Sequence, residues 1–495
     1  MAFLIFLLPF TILIVLTVVL KRPLWQAALA SYVTGAALSV YAKGFSAELV
    51  LVPFTYAVFI ALELALILFG AIFFLNFLRD SGAIEKIQGA LNKVTSDMRL
   101  QAILLSWLFG SFIEGASGFG TPAMIVAPLL ASLGFPLLLA VVLPLMANTT
   151  AVTFGAVGTP VIIGFSGIDA AADSGIFAAS VNVFAGLFVP VFILYFVVRL
   201  NGGSLKKDFR ECLPFALLSG FCFLIPYFLL SLFGVEFPSL FGGLIGLFIC
   251  IASIRFGFLV PDSGKPESGV SLKDMAIAFF PYILLSALLV AGKFLFMNYT
   301  YILELWFGVT RRFPLFQPGM AFLTTAFFLY VFSKKFRSVD VKKATLDALN
   351  VLPKPFFAIL FIASLAQNLL FIGNEFSLIY KATPYLTEGS LLILAIFTGT
   401  FGSFAAGSAT VSNLLFGTEL YTAAIAIGAG GAAVLGMQLI GAGIGNALAL
   451  QNIAVVQAAV KLEGKEKDIL RQLFVPSLIY ITVASLVGLS FYFFS

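Results

Sequence analysis

Histidine is missing from this chain, and cysteine nearly so: Cys212, Cys222 and Cys250 are its three thiols, each in or beside an apolar stretch. The first absence removes the commonest proton shuttle and the commonest metal ligand. The second leaves too little for a disulfide framework or a thiolate metal site, so no cofactor and no metal are expected. Charge is scarce too. Only 10% of the 495 residues are charged, against 61% hydrophobic, and a net charge of +5 is too thinly spread for a nucleic-acid surface. A glycine-rich phosphate loop ending in Lys-Ser or Lys-Thr is also lacking, which takes ATP away as a direct energy source.

What the chain has in abundance is long apolar runs. Stretches able to cross a bilayer fall at 3–20, 25–41, 49–77, 136–164, 175–198, 212–233, 239–260, 275–296, 317–335, 356–372, 428–460 and 470–494. Residues 3–20 have no basic segment ahead of them and Lys21 and Arg22 behind, so they are expected to remain as a first span. Composition thus predicts an all-α polytopic membrane protein, one integrated unit over 1–495. Two more stretches, 101–133 and 390–426, are apolar on both sides of a glycine and hydroxyl break, and are expected to be re-entrant hairpins. With the N-terminus outside, the inner loops hold 23 of the 28 Lys and Arg residues, the bias of a cytoplasmic face. Counting either hairpin as a full crossing would invert the later loops and abolish that bias. Twelve crossings of the plasma membrane, with both termini outside, are predicted.

The segment GSFIEG at 110–115 recurs as GSFAAG at 402–407. Both copies run on through small polar residues, and each precedes an apolar segment broken by glycine and asparagine, at 136–164 and 428–460. Seven predicted crossings separate the hairpins, an odd number, so the first would enter from the cytoplasm and the second from outside. Residues 49–198 and 356–495 are therefore expected to be inverted repeats, joined by linking and scaffold spans at 199–355. Such repeats, with broken helices meeting near the midplane, are characteristic of secondary transporters.

The stretch GSFIEGASGFGTPA (110–123) holds four glycines, a proline and a carboxyl group in apolar surroundings. A helix cannot run undisturbed through it, and broken backbone survives in lipid only where protein or a water-filled cavity covers it. Candidate substrate contacts are Ser117, Gly118, Gly120 and Thr121 here, Asn148, Thr149 and Thr150 in the first broken helix, and Ser408, Thr410, Ser412, Asn413 and Asn446 in the second repeat. Convergent neutral donors beside a helix N-terminus suit a small carboxylate bearing a hydroxyl; each hydroxyl could equally back-bond the preceding turn. Gly155 and Gly158 are the expected break points of the first broken helix. Ionisable residues within spans are functional candidates by default. Glu114 is placed to carry a coupled proton or to hold the hairpin, and Lys293 to face an anion or to snorkel to the interface. Glu63 and Glu419 have no neighbourhood that favours a role.

The segments FIEGASGFGTPAMIVAPLLASLGFP, ANTTAVTFGAVGTPVI, GSATVSNLLFG and GNALALQNIAVVQAAVKLEGKEKDILR resemble the L-lactate permease family. Residues 200–355 match it mainly in hydropathy. The resemblance implies import of a 2-hydroxymonocarboxylate (L-lactate, with D-lactate and glycolate) by proton symport, and, through a more distant likeness, an elevator-type transporter. The alternative is a sodium-coupled carrier of another small carboxylate, because many members read Gly-Ser-Asp-Thr where this chain has Gly407, Ser408, Ala409 and Thr410, a departure that bears on both the coupling ion and the substrate range. The expected partners are the small carboxylate, the proton or sodium ion and the lipid bilayer, with room for a homo-oligomer. Gly115-Ala-Ser-Gly118 also resembles the nucleophile motif of rhomboid-type intramembrane serine proteases; that chemistry needs a base, a histidine there, and the chain has none.

Overall fold

Eleven helices among the described residues are long and apolar enough to cross a membrane, and the chain is a multi-pass membrane protein. The computed structural model describes residues 2–44, 46–118, 120–200, 202–264, 272–296, 299–304, 310–373 and 377–494. Helices α1 (Ala2–Ile14) and α2 (Leu24–Lys43) come first. A first block follows: α3 (Ala47–Asp80), α4 (Ala83–Asn92), α5 (Met98–Ser117), α6 (Thr121–Ser132), α7 (Leu137–Ile162) and α8 (Ala171–Leu200). Next are α9 (Asp208–Ser231), α10 (Pro238–Phe256), α11 (Leu272–Phe296) and α12 (Pro318–Phe332). The second block is α13 (Val341–Ile372), α14 (Glu388–Ala406), α15 (Ala409–Ile427), α16 (Gly431–Leu448), α17 (Leu450–Ala459) and α18 (Glu466–Phe494).

Length and hydropathy divide the expected spans unevenly. The runs at 3–20 and 317–335 yield only shorter apolar helices, Leu7–Val19 and Pro318–Phe332, and α2, from the run at 25–41, is not among the eleven, while the helix arms α5 and α14 are. Residues 428–460 form two helices, because Ala449 takes an extended conformation (φ −62°, ψ 123°) between α16 and α17. One element escapes an all-helical reading. Thr300–Glu304 (β1) and Thr310–Pro314 (β2) pair antiparallel, Thr300 opposite Pro314. Both are rich in the β-branched and aromatic residues that fit a pleated ribbon.

The centre of the molecule lies at the broken elements. All of α5's most apolar window is buried, with 89% of α7's and 78% of α16's, against 39% for α9 and α18 and 33% for α11. Arms α5 and α6 pack on each other, as do α14 and α15, and α14 lies along α16. Small residues permit that last contact: a Cβ on Gly441 or Gly445 would strike the carbonyls of Ile396 or Thr400 in α14. Without a hydrophobic drive between helices in lipid, such close backbone approach is what holds them. Gly441→Val or Gly445→Val is expected to cost about 1–3 kcal/mol of stability, read as a lower unfolding temperature in detergent. Phe397→Leu, on an exposed α14 position, should stay within about 0.5 kcal/mol of the parent.

Candidate functional site

Three breaks converge. Between α5 and α6, Gly118 (φ 57°) and Gly120 (φ 77°) take conformations that side chains disfavour, and a Cβ on Gly118 would strike Ala156. Thr121 and Pro122 then open α6, where a missing N–H costs nothing. Between α14 and α15, Gly407 (φ 68°) makes the turn and Ser408 caps α15 by accepting from the Val411 N–H at 3.4 Å. In α7 the helix tightens at Val152–Phe154 and then turns left-handed through Ala156, Val157 and Gly158 (φ 43°, 57° and 81°). Positive φ at two non-glycine residues is a strained conformation that tertiary contacts must impose.

The α7 break and the turn at Gly407 leave backbone groups to be satisfied, and neighbours supply the partners. The Tyr227 hydroxyl donates to the Thr150 carbonyl at 3.1 Å and Ser239 to the Ala151 carbonyl at 2.6 Å. Asn446 and Asn452 both donate to the Gly407 carbonyl at 3.3 Å, Asn452 donates to the Asn446 carbonyl at 2.9 Å, and Gln451 donates to Ala405 at 3.3 Å. The α16–α17 break is thereby stitched to the α14–α15 turn.

Two small cavities lie where these breaks meet. One, of about 30 Å³, is lined by Glu114, Gly118, Gly155 and Thr159 from the first block and by Ser408, Thr410 and Asn446 from the second, among others. The other, of about 50 Å³, is lined by Gly120, Leu145, Asn148, Asn446 and Asn452 with apolar neighbours. Asn446 borders both. Glu114 is 3% exposed, with the Asn148 side chain as its polar neighbour. Its Oε2 and the Asn148 Oδ1 are buried without a hydrogen-bond partner. Gly155 makes the room, since a Cβ there would strike the Glu114 carboxylate.

Of the residues singled out in the sequence, Glu114, Gly118, Gly120, Asn148, Ser408, Thr410 and Asn446 therefore share these cavities. The others do not line them, and most have polar partners elsewhere. Ser117 donates to the Ile113 carbonyl at 3.0 Å and Thr149 to Met146 at 2.8 Å, both within their own helix. Thr121 forms the first residue of α6, half-buried. Thr150 lies 2.9 Å from the Tyr480 hydroxyl, which donates to Asn182 Oδ1 at 2.9 Å; Asn182 in turn donates to Thr153 at 3.2 Å and to Tyr227 at 3.1 Å. Ser412 donates to the Gly399 carbonyl at 2.9 Å and Asn413 to the Pro160 carbonyl at 2.9 Å. Lys293 forms an ion pair of 2.5 Å with Glu236 and lies 5.2 Å from the centre of the Phe237 ring, away from both cavities. Glu236, in the turn before α10, carried no local signal that would have found it.

The model of the family described as L-lactate permease matches residues 2–310 and 306–494 of the chain. The chain belongs to the L-lactate permease family. A Haemophilus influenzae protein assigned as an L-lactate permease is 31% identical, over 85% of this chain and 85% of its own. The Escherichia coli L-lactate permease is 26% identical over 86% and 83%, and the glycolate permease of that organism 27% identical over 86% and 84%. These relatives are permeases and not enzymes, so the protease likeness of residues 115–118 gives way; the Ser117 hydroxyl is spent on the Ile113 carbonyl. Across the bonds that complete the breaks, Tyr227→Phe orphans the Thr150 carbonyl and should cost about 1–3 kcal/mol. Thermal unfolding of the purified protein checks this, with the exposed Tyr330→Phe expected to leave stability unchanged.

Proposed function

We propose that this chain is a secondary carrier that brings small 2-hydroxymonocarboxylates into the cell with a proton, L-lactate first, with D-lactate and glycolate beside it. The observation that carries the reading is the meeting of two helix N-termini, three asparagines and one carboxyl group around the paired cavities. The first turns of α6 and α15 hold N–H groups without intrahelical acceptors and the positive ends of the helix dipoles, which suits a carboxylate. Asn148, Asn446 and Ser408 are the partners for the substrate hydroxyl. The relatives named for L-lactate and for glycolate support this substrate class.

Glu114 is the one ionisable residue lining either cavity among the described residues. An anion loaded beside an ionised carboxylate in so dry a site meets strong repulsion; a proton on Glu114 removes it. That proton also makes Glu114 a donor, with Asn148 Oδ1 as a free acceptor nearby, so proton and anion travel as a neutral pair. A water needs about 10–15 Å³ of such space, so the cavities suit a few waters, and the turns at 118–120 and 407–410 must part to admit an acid. In this reading 49–198 and 356–495 are inverted repeats in the plasma membrane with both termini outside. The two hairpins and broken helices move, elevator-fashion, against a scaffold drawn largely from 199–355. A second reading rests on the two unpartnered oxygens of Glu114 and Asn148, which would suit a sodium ion as well as a proton.

Uptake of L-lactate into proteoliposomes separates these. An inward proton gradient is expected to drive accumulation; accumulation driven by a sodium gradient alone would overturn proton coupling. Glu114→Gln should abolish accumulation driven by the proton gradient and retain lactate exchange, since a carrier held neutral still reorients when loaded. Gradient-driven accumulation at the parent level in folded Glu114→Gln would remove the proton from that side chain. Asn446→Ala, by leaving a buried polar contact unmade at about 1–3 kcal/mol, should raise the apparent KM roughly 5- to 150-fold, measured in the same assay.

A further inference from the structure

Far from the paired cavities, a groove of about 360 Å³ runs between α3 and α12, lined by Phe73 and Phe77 on one side and by Leu323, Ala326, Phe327 and Tyr330 on the other. Phe327 is 61% exposed, so the groove opens outward with an aromatic rim. One end is basic. The Phe77 ring stacks on Phe336 with centroids 5.5 Å apart and planes at 9°, and the Lys335 ammonium lies 5.4 Å from the centre of the Phe336 ring. Lys86 of α4 stands against Lys335: partial burial and the Lys86 charge hold the Lys335 ammonium below its ordinary range, with Glu85 pulling the other way. Val341, which also lines the groove, is followed by the exposed Lys342 and Lys343. Of the other charges here, Asp340 caps α13 by accepting from the Lys343 N–H at 3.0 Å, and Arg337 donates to the Val331 carbonyl at 2.8 Å.

We propose that this groove binds an anionic phospholipid, its acyl chain along the aromatic floor and its headgroup phosphate between Lys86 and Lys335. The two halves of the feature require the same occupant. Two ammonium groups held side by side call for an anion, and an apolar channel leading from them calls for a hydrocarbon chain. A free phosphate would use only the first half. A second copy of the chain would need an acidic apolar surface, whereas this face is basic. Basic pockets between membrane helices select lipid headgroups in this way.

The test is native mass spectrometry of the purified, delipidated full chain titrated with dioleoylphosphatidylglycerol or dioleoylphosphatidylcholine. The glycerol lipid should be retained in preference to the choline lipid. At about 1 kcal/mol per lysine near an anionic headgroup, Lys86→Gln with Lys335→Gln should weaken its retention roughly thirtyfold while sparing the choline lipid. Phe327→Ser should weaken both lipids. Unfolding temperatures of the variants equal to the parent's show that the loss is local. Equal retention of the two lipids, unchanged retention in the double variant, or displacement by millimolar inorganic phosphate would each overturn the proposal.

Discussion

A backbone amide or carbonyl released from its helix inside an apolar slab must find a partner there, since lipid supplies none. This molecule breaks its helices at four places near its centre, and two of those breaks, in α7 and at Gly407, are answered from neighbouring elements. The carbonyls freed where α7 tightens are taken by Tyr227 from α9 and Ser239 from α10. The turn at Gly407 is answered by Asn446 and Asn452 from the α16–α17 break. Elements far apart in the chain are thereby committed to one arrangement, because removing any of them would strand a polar group.

The same constraint explains the glycines. Where a donor must come within about 3 Å of a carbonyl, the backbones that carry them must also be close. Gly441 and Gly445 bring α16 against α14, and Gly118 seats the first turn on the α7 break. Gly155 has a different office: it leaves Glu114 room to lie buried beside Asn148. Packing and chemistry thus meet at one position, so a substitution there would act on both.

Much of this was legible in the chain. Glycine, proline and hydroxyl clusters in apolar runs marked the turns at 118–120 and 407–408, and seven of the fourteen candidate substrate, proton and counter-charge residues share the paired cavities. What could not be read was where long-range partners would draw the others. Thr150 is turned toward Tyr480, Asn413 toward Pro160 and Lys293 toward Glu236, and no local pattern encodes those pairings. The break in α7 was expected at Gly155 and Gly158 and runs between them, Gly155 extended and Gly158 left-handed; the left-handed conformation of Ala156 and Val157 was not legible, since local preference disfavours it. The ribbon of Thr300–Glu304 and Thr310–Pro314 was missed because hydropathy alone does not distinguish a short exposed strand from a loop.

The two turns at the cavities are fastened unequally. Separating the 407–408 turn from α16 and α17 means breaking the bonds from Asn446 and Asn452 to the Gly407 carbonyl, and the bond from Gln451 to Ala405 at the end of α14. The described residues of the 118–120 turn meet α7 by van der Waals contact of Gly118 with Ala156. Unequal tethering gives unequal activation barriers, and a barrier higher by the cost of a single hydrogen bond, about 1 kcal/mol, slows opening roughly fivefold. The 407–408 turn is therefore the more firmly held of the two. Its fastening is made of the amide side chains of Asn446 and Asn452, which carry no net charge for an electric field to pull.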